Sequence, residues 1–375
     1  MVLFLHNRYR TTGGEERTIE DLMWLVREHL GESAEMLTRD SSQTGRARAA
    51  GGLMRGGLGP DEVRSAVRLT GATVVHAHNL NPVLGWRALA AAREAGAGVV
   101  LHLHNYRLVC AVGTCFTEGA DCVRCHGRST LPGVRHNCRG SLPEAVAYAA
   151  ALAAWQRRLV AQCSDVIVPS AFAAARLREL GAPLEGVRVH VLAPVMRGFA
   201  ERAGPGPRAD GPALVAGRLA PEKGVEVAIE ACRTAGVALV VAGDGPERAA
   251  LQARAAGANV RFAGQLGARA LAAERAAASI ALVPSLSAET FGLAAAEAMA
   301  DGVPVAASEI GALPELLEQQ ALVAPGDAAA LAERLVSRRG DPEAGRCGLD
   351  AVRARCAPQV VGPALAAIYA AARGA

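Results

Sequence analysis

Short apolar runs rich in valine and leucine alternate with longer segments of helical periodicity along most of this chain, and the series starts over once, near residue 213. A run too short to be a helix, followed by a helix-period segment and another such run, fits parallel strands joined by crossover helices. In the first half the expected strands fall near 2–6, 72–76, 98–103, 165–168 and 187–191, with helices at 16–30 and 83–95 among the connections. In the second half they fall near 213–216, 237–242, 259–262, 280–283, 303–306 and 321–323. Between Met196 and Pro212 glycine, proline and charge crowd out regular structure, so 197–212 reads as a linker. The expected class is α/β, with two open sheets in domains 1–196 and 213–357 facing each other across a cleft. A last helix, within 358–375, is expected to pack back on the first domain. Ligands bind such sheets at the carboxyl ends of the strands.

A length of 375 residues favours two cores over one. The net charge of +4 is small for that length and the arginines are dispersed, which argues against a nucleic-acid surface while leaving room for anionic ligands. No apolar stretch is long enough to span a bilayer, and the chain opens on a strand-like run without a basic, then apolar, leader. The expectation is a cytoplasmic protein with at most peripheral membrane contact. For the apolar segment 143–160, a core helix with a basic end is favoured over a membrane-surface helix.

Lysine and arginine together number 40, and Lys223 is the sole lysine. A lysine kept where every other cation is arginine suits a pocket that needs a compact ammonium, such as one holding a phosphate oxygen. Arg218 and Lys223 flank the turn after the first strand of the second domain, where two fixed positive charges could neutralise a leaving phosphate without a metal ion. The chain has no pair of aspartates one residue apart, the usual mark of a metal-dependent sugar-nucleotide site. It also lacks a Walker loop, and Gly243-Asp244-Gly245-Pro246 lacks the third glycine of a dinucleotide fingerprint. Downstream, 284–293 leaves a strand and enters a helix with Glu289 in the turn and Glu297 about two helical turns on. The amides of Phe291, Gly292 and Leu293 would supply an anion site at the helix start, with Ser287 or Thr290 as its cap. The ordinary alternative for the two acids is helix-dipole complementation plus an exposed surface carboxylate.

These elements in combination, Gly217-Arg218 to Lys223-Gly224, the Gly243 turn, Phe262-Ala263-Gly264, and Glu289-x7-Glu297 with Phe291-Gly292-Leu293, resemble the donor half of the family 4 retaining glycosyltransferases. In the first half, Gly13-Gly14-Glu15-Glu16 resembles that family's glycine turn, and His104 stands where a histidine near the reacting sugar is expected. The resemblance implies the GT-B fold, two facing Rossmann-like domains. It implies that Arg218 and Lys223 hold the nucleotide diphosphate of a sugar donor, that Glu297 binds the ribose, and that Glu289 contacts the donor sugar. Gly14 would let backbone approach the phosphate or sugar, His104 would touch the transferred sugar, and Phe262 to Gly264 would lie by the base, with Gly243 completing the donor set. The implied reaction moves a hexosyl or N-acetylhexosaminyl group, with uridine diphosphate as the family's commonest carrier, to a small-molecule or lipid-linked acceptor bearing a hydroxyl, amine or thiol. No catalytic metal is implied, and attack comes from the face the diphosphate leaves. A catalytically silent sugar-nucleotide-binding protein and a zinc-loop interaction module are the alternatives.

Five of the nine cysteines crowd into the loop 105–140. Cys122 and Cys125 have the two-residue spacing that grips one metal, and Cys110 and Cys138 bracket them. A structural zinc held by Cys110, Cys122, Cys125 and Cys138 is the leading expectation, with free thiols or a disulfide as the alternative; Cys115 is the odd one out. A subset of the resembled family shares the His-Asn-Tyr-Arg lead into such cysteines. His76 with His78, and His102 with His104, form two strand-end pairs whose members fall on one side of a strand.

Overall fold

A computed structural model describes residues 1–8, 14–199 and 208–374. By internal contacts the chain divides into two compact units. The first comprises Met1–Cys115, Cys122–Val195 and Pro358–Ala375; the second comprises Phe116–Asp121 and Met196–Ala357. Along the chain the strands are β1 (Val2–Arg8), β2 (Ala34–Asp40), β3 (Val74–Ala77), β4 (Gly98–His102), the ribbon β5 (Phe116–Thr117) and β6 (Ala120–Asp121), β7 (Asp165–Val168) and β8 (Arg188–Val191). Then follow β9 (Ala213–Ala216), β10 (Leu239–Ala242), β11 (Val260–Gly264), β12 (Ile280–Val283), β13 (Val305–Ser308) and β14 (Leu322–Val323).

The first unit carries a six-stranded sheet in the order β2-β1-β3-β4-β7-β8, parallel throughout. Its central strands are apolar on both faces, as in Val2 to Leu5, because crossover helices cover both sides. β2 was not foreseen. It is an edge strand, Ala-Glu-Met-Leu-Thr-Arg-Asp, in which only Ala34 is buried, so it lacks the continuous apolar run that marks its neighbours. At the opposite edge Asp165 of β7, fully buried, accepts hydrogen bonds from Arg188 at 2.8 Å and meets His190 Nε2 at 2.7 Å, both on β8. The helix Pro358–Arg373 belongs to this unit. It buries Val361, Leu365, Ile368, Tyr369 and Ala372, at helical spacing, in the same cluster as Phe4, Leu22, Val74 and Val100.

The second unit carries another six-stranded parallel sheet, in the order β11-β10-β9-β12-β13-β14. Numbered from its own first strand this is the order 3-2-1-4-5-6 of a doubly wound sheet, and the connections reverse direction between β9 and β12. In the first unit, where the order is 2-1-3-4-5-6, the reversal falls between β1 and β3. Such reversals leave a crevice beyond the strand ends, which places a ligand site before any side chain is considered. Two Rossmann-like parallel α/β units are the GT-B class. No described helix is long and apolar enough to cross a membrane.

Candidate active site

In the second unit the segments leaving β9 and β12 converge at the reversal. After β9, Gly217 and the short turn Pro221–Lys223 lead to Gly224, whose left-handed φ of 60° redirects the chain into the helix Val225–Ala235. A Cβ on Gly224 would lie 2.1 Å from the Pro284 carbonyl oxygen, so only glycine lets the two segments come this close. They are tied by the Leu286 amide, which donates to the Glu222 carbonyl at 2.9 Å. Lys223 Nζ thereby reaches Glu289 Oε1 at 2.6 Å, and the Ser285 hydroxyl donates to the same oxygen at 2.6 Å. Arg218 pairs with Glu222 and keeps half its side chain exposed.

Burial pushes the Glu289 carboxyl upward. The Lys223 ammonium, its hydrogen bond, the Ser285 hydroxyl and the more distant Arg218 together outweigh that and hold it below the ordinary carboxylate range. Glu289 is therefore an anion fixed by cations, suited to accepting hydrogen bonds and not to storing a proton. Its backbone is held as well. Ala312 donates to the Glu289 carbonyl at 2.9 Å, and a Cβ on Gly311 would lie 2.3 Å from the Glu289 amide nitrogen.

The helix Leu293–Ala300 starts at Gly292, in the left-handed region at φ 94°, with no side-chain cap. The expected cap from Ser287 or Thr290 is thus corrected: the N-cap position holds a glycine, which leaves the first amides of that helix without a capping side chain. Phe291 is buried beside it, and Leu293 opens the helix. Glu297, farther along, accepts from Arg275 at 3.0 Å, and Arg275 also binds Asp301. Arg275 went unnoticed in the sequence because arginine is everywhere in this chain. Its burial, 5% exposed, is what sets it apart.

Gly243 sits against Gly217, where a Cβ would come within 1.8 Å of the Gly217 carbonyl oxygen; its amide donates to Gly264 at 2.8 Å. Phe262, on β11, is half-buried against the core of this unit, and Gly264 at its end adopts φ 71°. Gly14 and His104 belong to the first unit. Gly14 opens the helix Gly14–Glu28, while Gly13 lies outside the described residues.

His104 follows β4 and stands in a stack of imidazoles. Its Nε2 lies 2.8 Å from His78 Nδ1, and its ring centroid is 4.2 Å from that of His102. His76 joins the stack and lies 2.7 Å from the Tyr369 hydroxyl. Burial pushes His76 down to about 3, and likewise depresses His78, His102 and His104, so these rings stay neutral around physiological pH. Each of His76, His78 and His102 offers a ring nitrogen within 4.8 Å of the other two. The ring planes are 7° apart for His76 and His102, and 30° and 29° apart for the pairs that His78 makes with them.

Among the described residues the three histidines are the one group of three or more candidate ligands so gathered; Cys110, Cys122, Cys125 and Cys138 are not, whereas sulfurs around tetrahedral zinc lie about 4 Å apart. Cys110 instead takes a hydrogen bond from Cys115, the thiol set aside in the sequence. That bond, against the upward push of burial and with help from nearby backbone amides, brings Cys110 to about 6. No disulfide joins any of these cysteines. Two-residue spacing permits a shared metal, but the chain around Gly133 and Ala111 packs Cys125 on its own amides.

Residues 13–195 match the family described as glycosyl transferase 4-like domain, and residues 212–338 match glycosyl transferases group 1. A GDP-mannose-dependent alpha-(1-6)-phosphatidylinositol dimannoside mannosyltransferase of Mycobacterium tuberculosis is 43% identical over 107 residues, 27% of this chain and 28% of the relative. The match therefore spans under a third of that curated relative. Among solved structures, the sucrose-phosphate synthase of Thermosynechococcus elongatus superposes with a TM-score of 0.71 at 18% identity, over 99% of this chain and 98% of that one. The Anabaena protein Alr3699/HepE in complex with UDP-glucose does so at 0.64 and 17% identity, over 99% of each chain. At such identities the likeness shows the fold.

Proposed function

We infer that this chain, which carries a glycosyl transferase 4-like domain followed by a glycosyl transferases group 1 domain, is a glycosyltransferase whose second unit holds a nucleotide diphosphate sugar beyond β9 and β12. One observation carries the reading: the ammonium of the only lysine sits 2.6 Å from Glu289, beside an uncapped helix start. Lys223 and Arg218 bind the diphosphate, and the amides from Phe291 to Leu293 add their dipoles. Binding exchanges the Lys223–Glu289 contact for Lys223–phosphate, which frees Glu289 to orient the donor sugar hydroxyls. Glu297, already aligned by Arg275, binds the ribose, and the stretch from Phe262 to Gly264 borders the base. Gly243 keeps the turn beneath that site thin.

The transfer proceeds with retention. The bond from the anomeric carbon to the diphosphate oxygen breaks, the acceptor oxygen attacks from the same face, and its proton passes to the leaving diphosphate. Two fixed cations stabilise the charge that develops there, so no metal is required. The donor is a uridine diphosphate hexose or N-acetylhexosamine, a reading supported by the UDP-glucose bound to the Anabaena structural relative; the GDP-mannose named for the mycobacterial enzyme is the competing carrier. A structural zinc on Cys110, Cys122, Cys125 and Cys138 would stand apart from this chemistry, since four thiolates leave no open position for substrate.

Incubating the enzyme with a panel of nucleotide sugars and following free nucleotide release, with and without chelator, tests the donor and the metal independence together. Proton NMR of the product reads the anomeric configuration. Release from no donor in the panel, or an inverted product, would remove the corresponding part of the reading.

A further inference from the structure

Within the first unit a pocket opens at the carboxyl ends of β3 and β4. One wall is aromatic. Trp86 and Trp155 have ring centroids 6.0 Å apart, and Leu53, Leu152 and Leu159 extend the apolar surface. The chain is shaped to seat these rings: a Cβ on Gly56 would lie 2.1 Å from Trp86 Nε1, and Trp155 Nε1 donates to the Leu53 carbonyl at 3.1 Å.

The opposite wall is polar, yet most of its side chains are already engaged by the protein. Tyr148 donates its hydroxyl to the Arg107 carbonyl at 2.8 Å, Gln156 donates to the carbonyls of Leu108 and Gly127, and Asn79 donates to that of Asn7. One ring nitrogen on each of His78 and His102 stays unpartnered, and both residues are only 3% exposed. A buried polar atom without a partner is costly, so these nitrogens mark where a ligand hydroxyl gains most. Glu15 and Arg107 are the charged side chains of the lining, one of each sign. Beyond the lining, the Arg158 guanidinium lies 5.6 Å and 5.2 Å from the ring centroids of Trp86 and Trp155, a cation–π contact that commits it to those rings.

We propose that this pocket is the acceptor site and that the acceptor is a neutral alcohol with a flat apolar body. Its body packs on Trp86 and Trp155, where aromatic contact adds to area burial, and its hydroxyl faces the free nitrogens of His78 and His102. The proposal rests on the transferase reading and names the substrate class that reading leaves open. In the transfer the hydroxyl oxygen gains the bond to the anomeric carbon, the diphosphate oxygen loses it, and the hydroxyl proton leaves with the diphosphate.

The test is calorimetric titration of the full chain near neutral pH with four probes: 2-naphthol, 2-naphthyl phosphate, 1-decanol and glucose. Saturable binding of 2-naphthol, with each other probe weaker by about tenfold or more, is the expected result. Leu152→Arg should weaken 2-naphthol by about tenfold or more while UDP binding stays as in the parent. Leu53→Gln gives the same reading at a second position should the arginine variant not fold. Equal or tighter binding of the phosphate ester overturns the neutral class, and preference for decanol overturns the flat body. Undiminished naphthol binding in both variants overturns the location. UDP binding is read separately, so loss of the donor site would show on its own.

Discussion

Removing the Lys223 ammonium changes two things at once, the proposed diphosphate contact and the ionisation of Glu289. Lys223→Ala should lower kcat by about 100-fold or more, the range for losing one preorganised charge, with steady-state kinetics as the measure. Near-normal turnover would discard the assignment. The carboxyl gives a separate signature. In the parent protein the stability contributed by ionised Glu289 is fully present above the ordinary carboxylate pKa and lost as pH falls through the lowered folded value. In Lys223→Met, burial loses its main opponent, so the Glu289 resonance followed by NMR should titrate at higher pH than in the parent. Lys223 was legible in the sequence because composition singled it out. Arg275 was not, because burial is a tertiary property and its chemical type is shared with 38 other positions, that is 40 cations less Lys223 and Arg275 itself.

At the scale of the element, glycines and helix starts decide how strand ends approach one another. Gly243→Ala would drive a methyl into the Gly217 carbonyl and should destabilise the protein by about 2–4 kcal/mol in urea unfolding. An unchanged midpoint would show that the two turns yield easily. The C-terminal helix is held by a polar contact inside an apolar face. Tyr369→Phe leaves His76 Nδ1 without its 2.7 Å partner and should cost about 1–3 kcal/mol in the same measurement. Strands with apolar side chains on both faces were readable from their runs of valine and leucine. The edge strand β2 was not, since half-exposed residues carry no such run. The start of the helix Leu293–Ala300 was placed correctly, while its cap was misjudged: serine and threonine nearby look like caps, but the chain turns through Gly292.

For the whole molecule, the helix Pro358–Arg373 returns to the first unit after the chain has completed the second. Tyr369→Ala should therefore speed amide hydrogen exchange in β1, β3 and β4 and leave β9 to β14 at parental rates. Equal loosening of both sheets would show that the units share one cooperative core. What the residues alone determined was the repetition of an α/β series, because short apolar runs between helix-period segments have few other ways to bury themselves. They also marked Lys223 and Glu289, through rarity and spacing. Only tertiary structure decided strand order, and with it the reversal that brings the β9 and β12 segments together. It alone engaged Glu297 with Arg275 and stacked four histidines at the ends of two strands, because each depends on residues distant in sequence meeting across a packed sheet.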